Sequence, residues 1–210
     1  MTDATATVKN IASSMRVYDS EVAQIKGKVM DAVVEQVGTA MAKHIDGDLV
    51  TAMDTDAAFK SPVIDANKIT SAEIQTAMSN FGDDIDTDSF AGILIHSRLV
   101  PSFNAMPEFV GTNYTYQKGN DNGIVKDGVI GYYMGIPIIT CNNGTFDKVK
   151  AECKTYFVKK NSLGYVFQKG ITVEEEREAK DLATDIVASS LYAVKLLDLK
   201  GCVIARKTVI

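Results

Sequence analysis

One apolar stripe in the first quarter of the chain constrains what this sequence can fold into more than any other feature. Apolar side chains recur every three or four positions at Val22, Ile25, Val29, Val33, Val37, Met41, Ile45 and Leu49. This spacing places them on one face of a helix of about 30 residues, roughly 45 Å long. Asp19 or Ser20 can cap its start, whereas Gly27 and Gly38 lower its intrinsic propensity. The sequence therefore predicts a long spine helix that depends on packing for its stability.

The segments on either side of this predicted helix are poor in regular patterns. Residues 1–18 are small and polar, which predicts a loose N-terminal arm. Residues 51–67 contain turn-forming residues and Pro62, which predicts a linker. Neither segment is expected to pack as a regular element.

A second helix is predicted directly after this linker. Thr70-Ser-Ala-Glu73 has the spacing of a capping box, in which the Thr70 hydroxyl and the Glu73 carboxylate satisfy free N–H groups at a helix start. Three apolar residues follow at helical spacing, and Gly82 is placed to end the helix. A short amphipathic helix is expected here.

A buried strand is predicted at Phe90–Ile95, after the acidic loop Asp83–Asp88. Ser97 is expected to cap a short helical turn, whose regularity is limited by Pro101. This part of the chain is predicted to be α/β in character.

The stretch Asp121–Asn143 contains two short apolar runs on either side of Gly135. Glycine can adopt positive φ or let two backbones approach closely, and proline cannot donate to a sheet ladder. Gly131, Gly135 and Pro137 therefore predict a sharply bent, buried β segment. No reactive group lies among these three residues.

The C-terminal tail predicts strands. Tyr156–Val158 and Tyr165–Phe167 flank residues 159–164, which predicts a hairpin. A strand starting at Ile171 runs into a charged segment, residues 180–185 form a loop or short helix, and strands 186–197 and 202–206 follow. Antiparallel strands joined by short turns fit this pattern.

Composition excludes several classes of function. A net charge of −5 and a pI near 5.1 argue against bulk binding of nucleic acid, which needs clustered Lys and Arg. Cys141, Cys153 and Cys202 are an odd number without a C-x-x-C motif, and the first ten residues lack the apolar core of a signal peptide. Free buried thiols and a reducing, cytoplasmic origin are predicted, with no membrane span and no cofactor.

Catalysis has little support in the sequence. His96 beside Ser97 has the residue types of a base and a nucleophile, but adjacent residues do not make a triad, and the G-x-S-x-G elbow is missing. The triplet Asp84, Asp86 and Asp88 has the start of a calcium loop, but the Gly and Glu that such a loop needs later are absent. We expect no catalytic residue and no metal site.

Charged residues in the tail are candidates for contacts between subunits. Glu174, Glu175 and Glu176 form an acidic run that either deters unwanted strand pairing or supplies one side of a set of intersubunit salt bridges. The basic partners expected for such a set are Arg177, Lys159 and Lys160.

Five segments in order carry a family resemblance. They are AKHIDGDLVTAM, ITSAEIQTAMSNFGDD, FAGILIHSRLVPSF, GVIGYYMGIPIITCNN and the strand-rich tail from YFVKKNSLGYVF to GCVIARK. Together they resemble the major capsid proteins of tailed bacteriophages, whose fold is shared by encapsulin shells. The resemblance covers residues 19–208.

The resemblance implies an α+β, phage major-capsid-like fold with a long spine helix, a β-rich peripheral domain and a compact α/β axial domain. Residues 1–18 would be the arm, 19–60 the spine helix of the peripheral domain, 61–150 the axial domain and 151–210 the peripheral strands. Within the axial domain, the resemblance implies that Gly131, Gly135 and Pro137 serve the geometry of assembly. Family members have a longer N-terminal arm and an extended loop before the spine helix, and most of that region is expected to be missing here.

The function implied is that of a structural subunit that self-assembles through pentamers and hexamers into an icosahedral virion shell around double-stranded DNA. Such a shell is built in the host cytoplasm, with scaffolding, portal or decoration proteins as possible partners, and it holds DNA without reading its sequence. Two alternatives stay open: an encapsulin-like compartment that binds cargo proteins in a groove, and, more remotely, an enzyme for a small substrate near His96.

Overall fold

A computed structural model describes residues 5–25, 29–61, 68–83, 85–107 and 129–208 of the chain. Its helices are α1 Asp19–Gln24, α2 Val29–Asp56, α3 Ser71–Ser79 and α4 Val100–Asn104. Its strands are β1 Lys9–Tyr18, β2 Phe59–Lys60, β3 Phe90–Ile95, β4 Val129–Tyr133, β5 Ile136–Thr140, β6 Phe146–Asp147, β7 Glu152–Lys159, β8 Leu163–Glu178, β9 Ala183–Leu196 and β10 Cys202–Thr208. None of the helices in these ranges has both the length and the hydrophobicity of a membrane span.

The chain divides into two compact units. One contains the residues up to 49 together with 164–195, and the other contains residues 50–163 together with those from 196 onward. The tail strands are shared between the two units, since β7 and β10 belong to one sheet and β8 and β9 to another. The assignment of 19–60 and 151–210 to a peripheral domain and of 61–150 to an axial domain stays a prediction.

In the first unit, the strand order is β1-β9-β8. Strand β1 pairs antiparallel with β9 over ten residues, from Lys9 opposite Tyr192 to Tyr18 opposite Ala183. The predicted loose arm is therefore wrong from Lys9 onward, because β9 supplies the hydrogen-bonding partner that this segment lacks locally. Val17 is buried at 4% exposure, which ties the strand to the core of this unit.

The predicted spine helix is present, with different ends. Helix α1 ends at Gln24, Ile25 is extended, and α2 begins at Val29; Gly27 lies outside the described residues. Helix α2 continues to Asp56, so the prediction of a linker from residue 51 is wrong over its first six residues. The physical reason is that Val50 and Met53 extend the apolar stripe and are buried at 4% and 2% exposure.

The second unit is built on a sheet with the order β2-β10-β7-β3-β5-β4, with β6 paired to β7. Strand β3 pairs parallel with β5 and antiparallel with β7. The predicted hairpin at 159–164 is wrong, since β7 and β8 lie in different sheets. The turn between them is held instead by the Ser162 carbonyl, which accepts the N–H groups of Leu197 and Asp198 at 2.7 and 3.1 Å.

Several local predictions are confirmed. The Glu73 carboxylate accepts the N–H of Thr70 at 2.8 Å, which completes the capping box of α3. Helix α3 ends at Ser79, and Gly82 follows in a turn with φ +63°. Strand β3 has the predicted bounds, Phe90–Ile95. The short helical turn after it is present, although its capping residue is His96 rather than Ser97.

Candidate functional site

The glycine-punctuated stretch forms a tight β-hairpin from residue 129 onward; its first residues, 121–128, lie outside the described part of the chain. Strands β4 and β5 are joined through Met134 and Gly135, whose φ values are +50° and +81°. Two successive positive φ values are typical of the turn that suits the twist of a two-residue hairpin. The predicted bend is thus confirmed at Gly135, and a register shift places Gly131 opposite Ile138.

Pro137 lies inside the sheet, and β3 comes close to it. Pro137 is paired with Tyr132 of β4, and its ring cannot donate a ladder bond. A Cβ atom added to Gly92 of β3 would lie 3.2 Å from the Pro137 carbonyl oxygen. A side chain at Gly92 would therefore fit only if the Pro137 carbonyl moved by a few tenths of an ångström. This close approach could not be predicted from sequence because it joins two distant segments. The role of the bend in assembly stays a prediction.

The His96–Ser97 pair does not have the geometry of a catalytic site. His96 is buried at 9% exposure, and its Nδ1 accepts the N–H of Arg98 at 3.1 Å. Burial and the nearby Arg98 guanidinium lower the pKa of His96, which favours the neutral ring that caps the turn. The Ser97 N–H donates to the side chain of Asn142 at 2.9 Å. Both residues thus have a structural role: they form hydrogen bonds that hold the loop after β3.

The acidic loop before β3 is held by its own hydrogen bonds. Oδ1 of Asp86 accepts the N–H of Asp88 at 3.2 Å, and the Asp86 carbonyl accepts the hydroxyl of Ser89 at 2.6 Å. Asp84 lies outside the described residues. Within those residues, no group of three or more His, Cys, Asp or Glu side chains is placed to hold a metal ion.

The acidic run Glu174–Glu176 lies on β8, at the edge of the first unit's sheet, and all three side chains are exposed. Arg177, one of its expected basic partners, is engaged within the chain. Its guanidinium donates two hydrogen bonds of 2.6 Å to the Asp19 carboxylate. That bidentate pair lowers the pKa of Asp19 and raises that of Arg177.

The two lysines expected beside this run also have contacts inside the chain. The Lys159 ammonium lies 5.0 Å from the ring centre of Phe81 and 5.9 Å from that of Phe90. The Lys160 ammonium donates to the Asp88 carbonyl at 2.7 Å. Their assignment to intersubunit contacts, like that of Arg177 and the glutamates, stays a prediction.

A cluster of charges that the sequence did not reveal joins β1 to the β8–β9 turn. Arg16 donates to both oxygens of Asp185 at 2.7 Å, to Glu178 at 2.6 Å and to Asp181 at 3.0 Å. The hydrogen bonds to Arg16 lower the pKa of Asp185. The cluster fixes the end of β1 onto the turn, which supports the strand assignment of this segment.

A second unpredicted cluster, partly buried, lies in the other unit. Asp54 accepts from Lys154 at 2.8 Å and from Arg206 at 3.1 Å, and Arg206 lies 3.3 Å from the carboxylate of Glu152. Glu152 is 1% exposed, and its carboxylate oxygens accept no hydrogen bond from the described residues. The hydroxyl of Tyr156 is likewise buried without a partner in those residues, and burial raises its pKa. Two positive and two negative charges thus balance beneath the C-terminal turns of α2.

The three cysteines are free. Cys153 and Cys202 are buried, and burial raises the pKa of both thiols, to about 12 for Cys202. Cys141 is half-buried in the loop after β5. Raised pKa values keep the buried thiols protonated and unreactive at neutral pH.

This chain has a major-capsid-like fold, because solved phage capsid and encapsulin structures match it over nearly its whole length. A chain of Mycobacterium phage Che8 is 17% identical with a TM-score of 0.73, over 94% of this chain and 70% of that one. The capsid structure of cyanophage P-SCSP1u is 13% identical with a TM-score of 0.70, and the match covers 97% of this chain and 73% of that one. The holo-SrpI encapsulin complex from Synechococcus elongatus PCC 7942 is 10% identical with a TM-score of 0.68, and the match covers 94% of this chain and 73% of that one. No family model and no curated protein sequence matches the chain.

Proposed function

We propose that this protein is a structural subunit of an icosahedral viral capsid that self-assembles into a shell enclosing double-stranded DNA. The observation that carries the proposal is the likeness to phage capsid structures over at least 94% of the chain, at TM-scores of 0.65–0.73. Both units take part in this likeness. The proposal includes pentamers and hexamers of the chain, a virion location and assembly in the host cytoplasm.

An acidic subunit suits this role. A shell confines DNA and does not need to neutralise its phosphates, so a net charge of −5 is compatible with it. Scaffolding, portal and decoration proteins are further partners in the proposal. It assigns no catalytic residue and no cofactor.

Electron microscopy of the purified chain tests the proposal. We expect closed particles of uniform diameter, and their diameter would define the number of subunits. A chain that stays monomeric at high concentration in the presence of crowding agents would refute it. His96→Ala should leave particle formation unchanged, because His96 contacts its own loop; loss of a co-purifying activity with intact particles would instead support the enzyme alternative.

A second candidate is the shell subunit of an encapsulin-like compartment. The likeness to the holo-SrpI encapsulin complex at TM-score 0.68 favours it specifically. The two roles differ in content: capsids would protect DNA from nuclease, whereas a compartment would co-purify with a cargo protein. Nuclease treatment followed by analysis of particle content distinguishes them.

A further inference from the structure

Among the residues that the structure describes, no strand pairs with the outer edge of β8. It is 16 residues long, forms the edge of the β1-β9-β8 sheet, and contains no buried residue. Five of its large apolar side chains are exposed by 40–68%: Tyr165, Val166, Phe167, Ile171 and Val173. A long edge strand with exposed apolar side chains is a surface for pairing or docking.

The end of this apolar strand is strongly acidic. Glu174, Glu175 and Glu176 follow Val173 directly, and none of the three forms an ion pair or hydrogen bond with the described residues. The neighbouring Arg177 is engaged elsewhere, because both of its terminal nitrogens donate to the Asp19 carboxylate. The strand therefore presents an apolar surface followed by three negative charges that no described residue pairs.

The turn between β6 and β7 has the opposite character. Its tip is Val149, which is 95% exposed and lies between Lys148 and Lys150. Oδ1 of Asp147 accepts the N–H groups of Val149 at 2.9 Å and of Lys150 at 3.3 Å, and these bonds lower the pKa of Asp147. Ala151, with φ +50°, closes the turn. The result is a hydrogen-bonded turn that projects one apolar side chain between two cations.

We propose that the turn Lys148–Lys150 of one copy docks on the segment Ile171–Glu176 of a second copy. Val149 would cover the exposed Ile171 and Val173, and the two ammonium groups would reach the three glutamates, whose side chains alternate between the faces of the strand. No described residue of the same chain covers either surface, and the two surfaces are complementary in charge and polarity. The occupant is thus another copy of this chain.

The two surfaces differ, so the contact is heterologous. Each copy would use its turn on one neighbour and its β8 on another, which generates closed rings or larger assemblies. This inference rests on the proposed function in one respect, since it names the contact through which shell subunits would associate. It replaces Arg177, Lys159 and Lys160 by the two turn lysines as the cations that meet the acidic run.

Charge reversal tests the contact. We expect the triple variant Glu174→Lys/Glu175→Lys/Glu176→Lys and the double variant Lys148→Glu/Lys150→Glu each to lower the yield of assembled particles at least about tenfold, because like charges would face each other. Mixing the two variants, or combining all five changes in one chain, should restore the yield to within about twofold of wild type, since the charges then complement each other again.

A control with the same kind of change elsewhere separates contact from net charge. Lys180→Glu/Lys200→Glu alters net charge as much as the turn variant does and should leave the yield unchanged. Equal losses from this control and from the turn variant, or no recovery on mixing, would overturn the proposed contact.

Cross-linking provides a readout that does not need particles. A Val149→Cys chain mixed with a Val173→Cys chain should form an intermolecular disulfide dimer when oxidised glutathione is added. Each variant alone controls for the native thiols, and Val149→Cys mixed with Leu182→Cys, exposed by 61% in the β8–β9 turn, controls for random collision. Dimers no more abundant than in these controls would refute the contact.

The two proposals can fail separately. If wild type forms shells but neither cross-links nor responds to charge reversal, the docking contact is wrong and the shell function stands. If the 149–173 disulfide forms while wild type never assembles into shells, the contact stands and the capsid function is wrong.

Discussion

Gly201, in the turn before β10, is where one added methyl group should have a large effect. A Cβ atom on Gly201 would lie 2.5 Å from Cβ of Ser162 and 3.1 Å from Oδ2 of Asp198. Two carbon atoms pack at about 3.5–4.0 Å, so either turn would have to move by roughly 1 Å. Gly201→Ala should therefore strain the junction of two turns.

The size of the destabilisation depends on how far the two turns can move, and hydrogen bonds restrict both of them. Ser162 is 1% exposed, its hydroxyl donates to the Lys159 carbonyl at 2.6 Å, and its own carbonyl accepts two N–H groups. The N–H of Lys159 in turn donates to the Gly201 carbonyl at 2.9 Å. Overpacking of this kind costs about 1–3 kcal/mol. We expect the upper end because the atom that the methyl group meets first, Cβ of Ser162, is held in place by a hydrogen-bonded turn. The melting temperature should fall by about 6–12 °C for a cost of 3 kcal/mol.

The assay is urea unfolding of the purified subunit, followed by far-UV circular dichroism, with Gly170→Ala as the matched control. No atom lies within 4 Å of a Cβ on Gly170, so this variant should keep the wild-type midpoint or gain up to about 1 kcal/mol. Adding Ser162→Gly to Gly201→Ala should recover part of the loss in a double-mutant cycle. Equal midpoints for Gly201→Ala, Gly170→Ala and wild type would refute the close packing of the two turns.

Three further predictions concern the hairpin, the buried charges and the charge pairs at the surface. Because φ at Gly135 is +81°, Gly135→Val should lower the free energy of unfolding in urea by about 1–2 kcal/mol and reduce the particle yield. Gly135→Asn should lower the free energy of unfolding by less, because Asn tolerates a positive φ better than Val. Arg206→Met should cost about 3–5 kcal/mol by leaving Glu152 unpaired, and the double variant with Glu152→Met should cost less. Since Arg177 lowers the pKa of Asp19, their pair stabilises the fold above the carboxyl's unfolded pKa and is lost as pH falls through the lower folded value. The difference in urea midpoint between wild type and Arg177→Gln should therefore begin to shrink as the pH falls below about 4 and vanish once the folded Asp19 carboxyl is protonated. A difference that stays constant from about pH 5 to about pH 2 would contradict this assignment.

Local patterns predicted those elements whose hydrogen bonds and caps lie within a few residues. The capping box of α3 joins Thr70 to Glu73, three positions away, and strand β3 is a continuous apolar run. The turn at Gly135 is likewise a property of neighbouring residues. In each case the interacting residues lie within a few positions of each other, so the local sequence was enough to predict the element.

Elements that depend on distant partners were missed or misjudged. The segment from Lys9 to Tyr18 has only a weak alternation, and it becomes a strand because β9 pairs with it. Arg16 meets Asp185, which is 169 positions away. The strands on either side of Ser162 were predicted to pair with each other, yet each finds its neighbours in a different sheet.

The candidate assembly surfaces show the same division. The acidic run, the spine helix, the glycine bend and the order of segments that resembles a shell protein are all visible in the amino-acid sequence. Three other features appear only in the folded chain: Arg177 is already bound to Asp19, β8 is at the edge of its described sheet, and Val149 is exposed between two lysines. The physical reason is that which charges are paired and which apolar side chains are covered depends on neighbours brought together by non-local strand pairing.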